Sequence, residues 1–198
     1  MRTSGWVLTL FGLLTFSAWS AVNTGTSTID FESITGGGTC AVSADSPVVL
    51  GDKNGIDPTP ALDKDWVGLG KTTFKINLTG CVGLGGATTA PKITLSGTTV
   101  SGKSATANDS LFSTGTNATG FGVIIYNTDN PGAGNTNIAT SSGGTIPIPG
   151  YGLGTALNGD TSVTLMAAVG CGTAVDCKGE TLNPGALSAS ITFGFAYK

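Results

Sequence analysis

Apolar and polar residues alternate along much of this chain, and the alternation is clearest in its final segment. There the apolar side chains occupy every second position: Ile191, Phe193, Phe195 and Tyr197. Because side chains of a β-strand point alternately to its two faces, this pattern predicts a strand with one buried face. No window of the sequence shows the apolar stripe of an amphipathic helix.

Shorter segments of the same kind recur between clusters of Gly, Pro, Asn and Asp: Ile29 with Phe31, Val48–Leu50, Phe74 with Ile76 and Leu78, Ile93 with Leu95, Val123–Tyr126, Ile146 with Ile148, and Val163 with Leu165 and Ala167. Half-buried antiparallel strands show this pattern, and so many of them favour an all-β sandwich. With 32 Gly and 11% charged residues, the composition also suits strands and turns better than helices. The stretch 127–144 is predicted to be a surface loop, since little in it could be buried.

Residues 1–20 are typical of a secretory signal peptide. Arg2 supplies a positive start, Trp6–Phe16 is apolar, and small residues precede a cleavage position after Ser20 or, less suitably, after Ala21. No later segment is apolar enough to suggest a membrane span.

Export to an oxidising compartment makes the four cysteines candidates for disulfides. Cys171 and Cys177 are close enough to clip one loop, which leaves Cys40 and Cys81 to close a loop of about forty residues, worth roughly 4 kcal/mol. A zinc site is the alternative, but the chain has no His and its cysteines are widely spaced. We therefore predict the disulfides Cys40–Cys81 and Cys171–Cys177.

Charge and residue inventory argue against several functions. A net charge of −3 and scattered Lys offer no basic surface for nucleic acid or anionic lipid. Without His a serine nucleophile lacks its usual base, and the aspartates of 52–57 and 63–65 lack the spacing of a calcium loop. The glycines of 83–86 have no lysine or helix to bind phosphate. We expect no enzyme, metal or cofactor.

The two ends of the chain are unusual for a self-contained domain. The β-pattern Thr28–Ile34 is separated from the body by Gly36–Gly38, a flexible hinge, so this strand need not pair with its own domain. The last apolar strand has nothing after Lys198 to cover its outer edge. An ordinary first strand and an ordinary last strand are the alternative interpretation.

Several segments together resemble the subunits of chaperone–usher pili, the type 1 pilus major subunits in particular. They are Thr28–Phe31, Cys40–Val42, Phe74–Cys81 with its Leu-Thr-Gly-Cys ending, and a tail with Gly185 at the fourteenth position from the end and Tyr197 next to last. The resemblance extends over the whole chain after the signal peptide. Cys40 and Cys81 match that family's disulfide, whereas Cys171 and Cys177 have no counterpart in its usual pattern.

The resemblance implies an incomplete immunoglobulin-like β-sandwich that lacks its last strand and leaves a groove open to the core. A periplasmic chaperone would fill the groove first. At the outer-membrane usher, the N-terminal extension of the next subunit would replace the chaperone strand, antiparallel to the last strand. Such a head-to-tail contact does not close, so it generates a filament. Residues 1–20 would be the signal peptide, 21–39 the donor-strand extension and 40–198 the sandwich.

Site residues follow from the same resemblance. The donor side chains entering the neighbour's groove would be Ser27, Ile29, Phe31, Ser33 and Thr35. Family members usually have glycine where Ser33 stands and a hydrophobe near Thr35, so a register slip or a bulge at Ile34 stays open. The acceptor strand, which would also pair with the chaperone, comprises Gly185, Ile191, Phe193, Phe195, Tyr197 and Lys198.

The predicted function is that of a structural subunit of a fimbrium on the bacterial surface, which supports cell adhesion. The alternative is a secreted or tip-located single-domain adhesin that binds a host glycan or receptor. For such an adhesin the candidate ligand contacts are Trp66, Tyr126 and Tyr151, but for each of them a place in the core or the groove wall is the better prediction.

Overall fold

The computed structural model describes residues 26–27, 38–52, 55–114, 119–131 and 137–198. The strands in these ranges are β1 (Thr26–Ser27), β2 (Gly38–Ala44), β3 (Val48–Val49), β4 (Leu69–Gly83), β5 (Pro91–Gly97), β6 (Gly122–Tyr126), β7 (Thr145–Pro147), β8 (Gly159–Gly170) and β9 (Ile191–Tyr197). The remaining elements are a short helix, α1 (Ala105–Ser110), and 3-10 turns at Thr59–Ala61 and Gly179–Thr181. The all-β prediction is confirmed. In the described ranges no helix is long and apolar enough to cross a membrane.

Two antiparallel sheets form a sandwich. The first has the strand order β2-β4-β8-β6 and the second β7-β5-β9, while β1 and β3 form a separate short ladder. The sheets face each other across one core, in which the rings of Phe74 on β4 and Phe193 on β9 lie 5.9 Å apart between centroids. Along β4 the side chains of Phe74, Ile76 and Leu78 are buried and those between them are not, as the alternation predicts.

The ladders define two ends of the sandwich. At one end Gly38 of β2 pairs with Gly83 of β4, and Tyr197, which pairs with Pro91, packs against these two glycines. We call this the Gly38 end. The opposite end, called the Ile191 end, contains Ala44, Leu69, Gly97, Gly170 and Ile191. Because β2 begins at Gly38, the sandwich includes two residues that the sequence placed in the N-terminal extension.

Both predicted disulfides are present. Cys40–Cys81 joins β2 to β4 over a sequence separation of 41, and Cys171–Cys177 closes a short loop after β8 over a separation of 6. The first links two neighbouring strands of one sheet, and the second lies at the Ile191 end. Each pairing therefore agrees with the sequence prediction.

The predicted surface loop 127–144 is more ordered than expected in its described part. Past residue 136 the chain returns along β6, where the Ala139 amide donates to the Ile125 carbonyl at 2.8 Å and Asn127 donates to the carbonyl of Asn137 at 2.8 Å. Ala139 is buried, so the prediction is wrong there. Ala139 is buried because its side chain is small and its backbone pairs with β6. Composition alone does not reveal such pairing.

Helix α1 was not predicted, and contacts distant in sequence explain it. The Asp176 carboxylate, in the Cys171–Cys177 loop, accepts the Ser104 amide at 2.9 Å and the Ser104 hydroxyl at 2.6 Å, just before α1. It also accepts the amide and hydroxyl of Thr173, at 3.1 and 2.6 Å. The backbone carbonyl of Asp176 accepts Lys103 Nζ at 2.9 Å. The loop thus holds the start of a helix too short to be stable alone.

We expect Asp176→Asn to lower the free energy of unfolding by about 1–3 kcal/mol, because an amide cannot accept all four of these hydrogen bonds. Burial by itself raises the pKa of Asp176, but the hydrogen bonds from Ser104 and Thr173 outweigh it and hold the pKa below the usual 3.8. A carboxylate whose pKa is lower in the folded than in the unfolded chain stabilises the fold fully at pH values above its unfolded pKa. This stabilisation is lost as the pH falls through its folded pKa.

Denaturant unfolding at neutral pH and at a series of pH values below about 4 measures this effect. The difference between the native chain and the Asp176→Asn variant should be constant near neutrality and shrink in acid. Asp129→Asn, at an exposed position, is the matched control and should leave the unfolding midpoint nearly unchanged. A difference that stays the same across the acid range would contradict the proposed role of the carboxylate.

Candidate functional site

Strand β9 forms an edge of the second sheet. Its ladder to β5 runs from Tyr197 opposite Pro91 to Ile191 opposite Gly97. Beyond the strand, Lys198 continues this pairing through two backbone hydrogen bonds with Ala90, at 2.9 and 3.0 Å. On its other side, β9 has no ladder partner among the residues that the structure describes. This edge is where a further strand could add by main-chain hydrogen bonds.

Four of the predicted acceptor residues, Ile191, Phe193, Phe195 and Tyr197, lie on the core face of β9, while Lys198 is exposed just beyond the strand. Ile191 and Phe193 are fully buried, and Phe195 is buried beside the half-buried Tyr197, whose ring it meets edge-on at 5.3 Å between centroids. Gly185 is exposed in the loop that leads to β9, so the strand itself begins later than the predicted set implies. The edge of β9 therefore borders directly on the hydrophobic core.

Tyr197 ties this strand to the first sheet. Its hydroxyl accepts the Leu157 amide at 2.8 Å. Its ring occupies the space over the Gly38–Gly83 pair, where a Cβ added to Gly38 would lie 2.6 Å from the ring carbon Cε2. Only residues without a Cβ allow the ring this close, which explains glycine at both positions.

Gly83→Ala should therefore destabilise the fold by about 1–3 kcal/mol, because the added methyl group would overlap the Tyr197 side chain. Guanidinium unfolding measures the change. The cost should largely disappear when Tyr197→Ala is introduced as well, which a double-mutant cycle detects. Gly152→Ala is the matched control, because nothing lies within 4 Å of a Cβ built there. An equal cost of Gly83→Ala with and without Tyr197 would contradict this account.

The opposite border of the site is formed by β2 and β3. β2 is the outer strand of its sheet, and it approaches β9 within 8 Å between Cα atoms without forming a ladder to it. Pro47, which has no amide hydrogen, separates β2 from β3. After this break, Val48 and Leu50 point into the same core as β9. Two strand edges that are close but not hydrogen-bonded to one another thus flank the core.

The short strand β1 pairs with the edge of β3. Thr26 lies opposite Val49 and Ser27 opposite Val48, in antiparallel register. Of the predicted donor residues, Ser27 is in this ladder, while Ile29, Phe31, Ser33 and Thr35 lie outside the described residues. The backbone of the N-terminal segment therefore adds to a strand edge at this site, within its own chain. The donor assignment itself stays a prediction.

The aromatic residues considered as ligand contacts are mostly internal. Trp66 and Tyr126 are buried in a small cluster with Leu111 of the segment after α1, and Tyr151 packs against the main core. Burial raises the pKa of Tyr126 above its usual value. Trp66 and Tyr126 are buried and Tyr151 is half-buried against the core, which agrees with the predicted core role.

No protein-family model matches the sequence, and neither does any curated protein. Among solved structures, the P pilus rod subunit PapA is similar over 80% of this chain and 99% of its own, with 22% identity and a TM-score of 0.51. A chaperone–usher pilus structure aligns over 98% of this chain and 100% of that one, with 19% identity and a TM-score of 0.46. The CupB6 tip adhesin from Pseudomonas aeruginosa aligns over 88% of this chain and 40% of its own, with 16% identity and a TM-score of 0.37.

The likeness to the rod subunit shows the fold: a β-sandwich of the pilin kind. The strand edges beside the core are the structural features that bear on function.

Proposed function

We propose that this chain is a structural subunit of a chaperone–usher fimbrium and that it polymerises by donor-strand exchange. The observation that carries the proposal is the outer edge of β9, which borders the core and has no ladder partner among the described residues. The pilin-like fold supports it. A strand from another molecule inserted there would pair with main-chain groups and cover the core.

In this proposal the inserted strand is the N-terminal segment of the next subunit. Its backbone bonds to the edge of β9, and alternate side chains enter the core beside Phe193 and Phe195. Fully burying Ile29 and Phe31 of the donor contributes about 1.5–3 kcal/mol each. Because donor and acceptor surfaces differ, the contact is head-to-tail and builds a filament. Before assembly a periplasmic chaperone occupies the same edge and hands the subunit to an outer-membrane usher.

A second function is favoured by one observation, the ladder between β1 and β3 of the same chain. If the N-terminal segment stays in its own domain, the sandwich is complete without a partner. The chain is then a secreted or tip-located single-domain adhesin. The two functions differ in whether the segment after β1 binds within its own chain or in a neighbour.

Periplasmic expression of the chain with and without its chaperone separates these functions. Under the first, unheated samples on a denaturing gel show a ladder of polymers that collapses to monomer on heating. Deleting residues 21–35 should abolish the ladder and leave chaperone binding intact. Asp30→Asn with Glu32→Gln, at the alternate donor positions, is the matched control and should leave the ladder unchanged. A stable monomer formed without chaperone, or polymers that survive the deletion, would refute donor-strand exchange.

A further inference from the structure

Two leucines project from the Gly38 end on glycine-rich loops. Leu84 is 86% exposed and Leu153 is 67% exposed, and each stands in a Gly-Leu-Gly triplet. Val82, two residues before Leu84, is 68% exposed. Single exposed aliphatic residues need no explanation, but several at one end of a small domain indicate a contact surface.

The two loops are held against each other. The Gly154 amide donates to the carbonyls of Gly86 and Thr89, at 3.1 and 3.0 Å. A Cβ added to Gly85 would lie 2.5 Å from the carbonyl oxygen of Gly154, so the backbones touch. The leucines therefore belong to one fixed surface, which we call the leucine end surface (Val82, Leu84 and Leu153).

We infer that the leucine end surface binds a second copy of this chain, the next subunit of the filament. The inference rests on the proposed function. The sandwich begins at Gly38, so a donor segment inserted into a neighbour is joined to its own domain at this end. A segment inserted into a neighbour brings the Gly38 end, with its leucines, against that neighbour.

Strand direction identifies which part of the neighbour is met. A donor strand antiparallel to β9 has its C-terminal side beside Ile191, and the donor's own Gly38 follows there. The leucine end surface of one subunit therefore faces the Ile191 end of the next. A head-to-tail contact of this kind joins unlike surfaces, so each end needs an apolar surface of its own.

The Ile191 end carries the matching apolar residues. Val175, 72% exposed, lies inside the Cys171–Cys177 loop, and Val49, 49% exposed, lies on β3 close to the start of β4. These two and the leucine end surface are the large exposed hydrophobic residues of the described ranges. The disulfide and the Asp176 hydrogen bonds fix the loop that presents Val175. That loop thereby becomes half of a subunit contact.

Photo-crosslinking of assembled polymers tests the contact. Leu84 or Leu153 is replaced by the photoreactive residue p-benzoylphenylalanine, and the polymers are irradiated, heated and analysed on a denaturing gel. We expect dimers and longer species that survive heating, with peptide mapping that places the new bond in segment 45–50 or 171–177 of the neighbour. The same replacement at Ser162, which is exposed and lies opposite Asn77 near the middle of β4, is the matched control and should give few such species.

The outcomes separate this inference from the function on which it rests. Native-sequence polymers that form normally, with no more cross-linking at Leu84 or Leu153 than at Ser162, would overturn the inference and leave donor-strand exchange standing. Cross-links from one leucine end surface to another would also overturn it, because they indicate a symmetric contact. If the native sequence forms no heat-sensitive polymer, the proposed function fails and the inference fails with it.

Discussion

Phe193→Ala is expected to lower the free energy of unfolding by about 3–5 kcal/mol, the largest effect of a single substitution considered for this domain. Phe193 is fully buried, pairs with Leu95 on β5, and places its ring against Phe74 of the facing sheet. Replacing it by alanine removes apolar contacts and leaves a cavity between the sheets, because neighbouring strands relax only in part. Such a loss approaches the whole stability of an ordinary domain, about 5–15 kcal/mol.

Guanidinium unfolding followed by tryptophan fluorescence measures this change. Once residues 1–20 are removed, Trp66 is the one tryptophan left in the chain, and it is buried. All variants are compared in the same assembly state. Leu153→Ala, which also truncates a large apolar side chain but at an exposed position, is the matched control and should cost less than about 0.5 kcal/mol. A midpoint for Phe193→Ala close to that of Leu153→Ala would show that β9 does not hold the core together.

The position of Phe193 could be predicted because it depends on local periodicity. In a strand, burial of one residue implies burial of the residue two positions on, so Ile191, Phe193 and Phe195 could be assigned to the core without a structure. The two disulfides could also be predicted. Once Cys171 and Cys177 are paired across their short loop, Cys40 and Cys81 have only each other as partners. The burial pattern of β9 and the Cys171–Cys177 pairing rest on information within a few neighbouring residues, and the Cys40–Cys81 pairing follows by elimination.

The features that sequence reasoning missed depend on contacts between distant segments. Helix α1 forms where Asp176 meets Ser104 across the fold, and no apolar stripe marks it. The inclusion of Gly38 in the sandwich depends on the Tyr197 ring, which occupies the space that a side chain would fill. A run of three glycines is equally consistent with a hinge and with a close approach of two strands. The contact of Gly38 with Tyr197, in the second sheet, distinguishes these two interpretations.

An uncovered outer edge of the last strand was predicted from the sequence, and the structure adds a physical description of it. β9 has no ladder partner on its outer side in the described ranges, and the core lies directly beneath that edge. The ladder between β1 and β3 shows that the N-terminal backbone can extend an edge there. Whether that segment serves its own domain or a neighbour is a competition between an intramolecular and an intermolecular strand, which protein concentration influences.

Removing the Cys40–Cys81 disulfide is the second change with a large expected effect. In the chain-entropy model, closing a loop of 41 residues stabilises the folded state by about 4 kcal/mol, whereas the short Cys171–Cys177 loop yields only about 2 kcal/mol. Cys40→Ser with Cys81→Ser should therefore shift the unfolding midpoint about twice as far as Cys171→Ser with Cys177→Ser. The double variant Cys40→Ser with Cys81→Ser also lacks the covalent link that holds β2 against β4 at the border of the candidate site.

Unfolding of the two double variants, measured side by side by Trp66 fluorescence, tests this order. The variants match in chemistry, since each replaces a buried disulfide by two serines, so the difference between them reports loop length and position. Filament assembly distinguishes the two further. Under the proposed function, loss of Cys40–Cys81 frees β2 and should reduce the yield of folded subunit, while loss of Cys171–Cys177 loosens the Val175 loop and should weaken contacts between subunits. If removing Cys171–Cys177 lowers the stability more than removing Cys40–Cys81, chain entropy does not determine how much these disulfides stabilise the fold. The hydrogen bonds of Asp176 in the folded protein then become the better explanation.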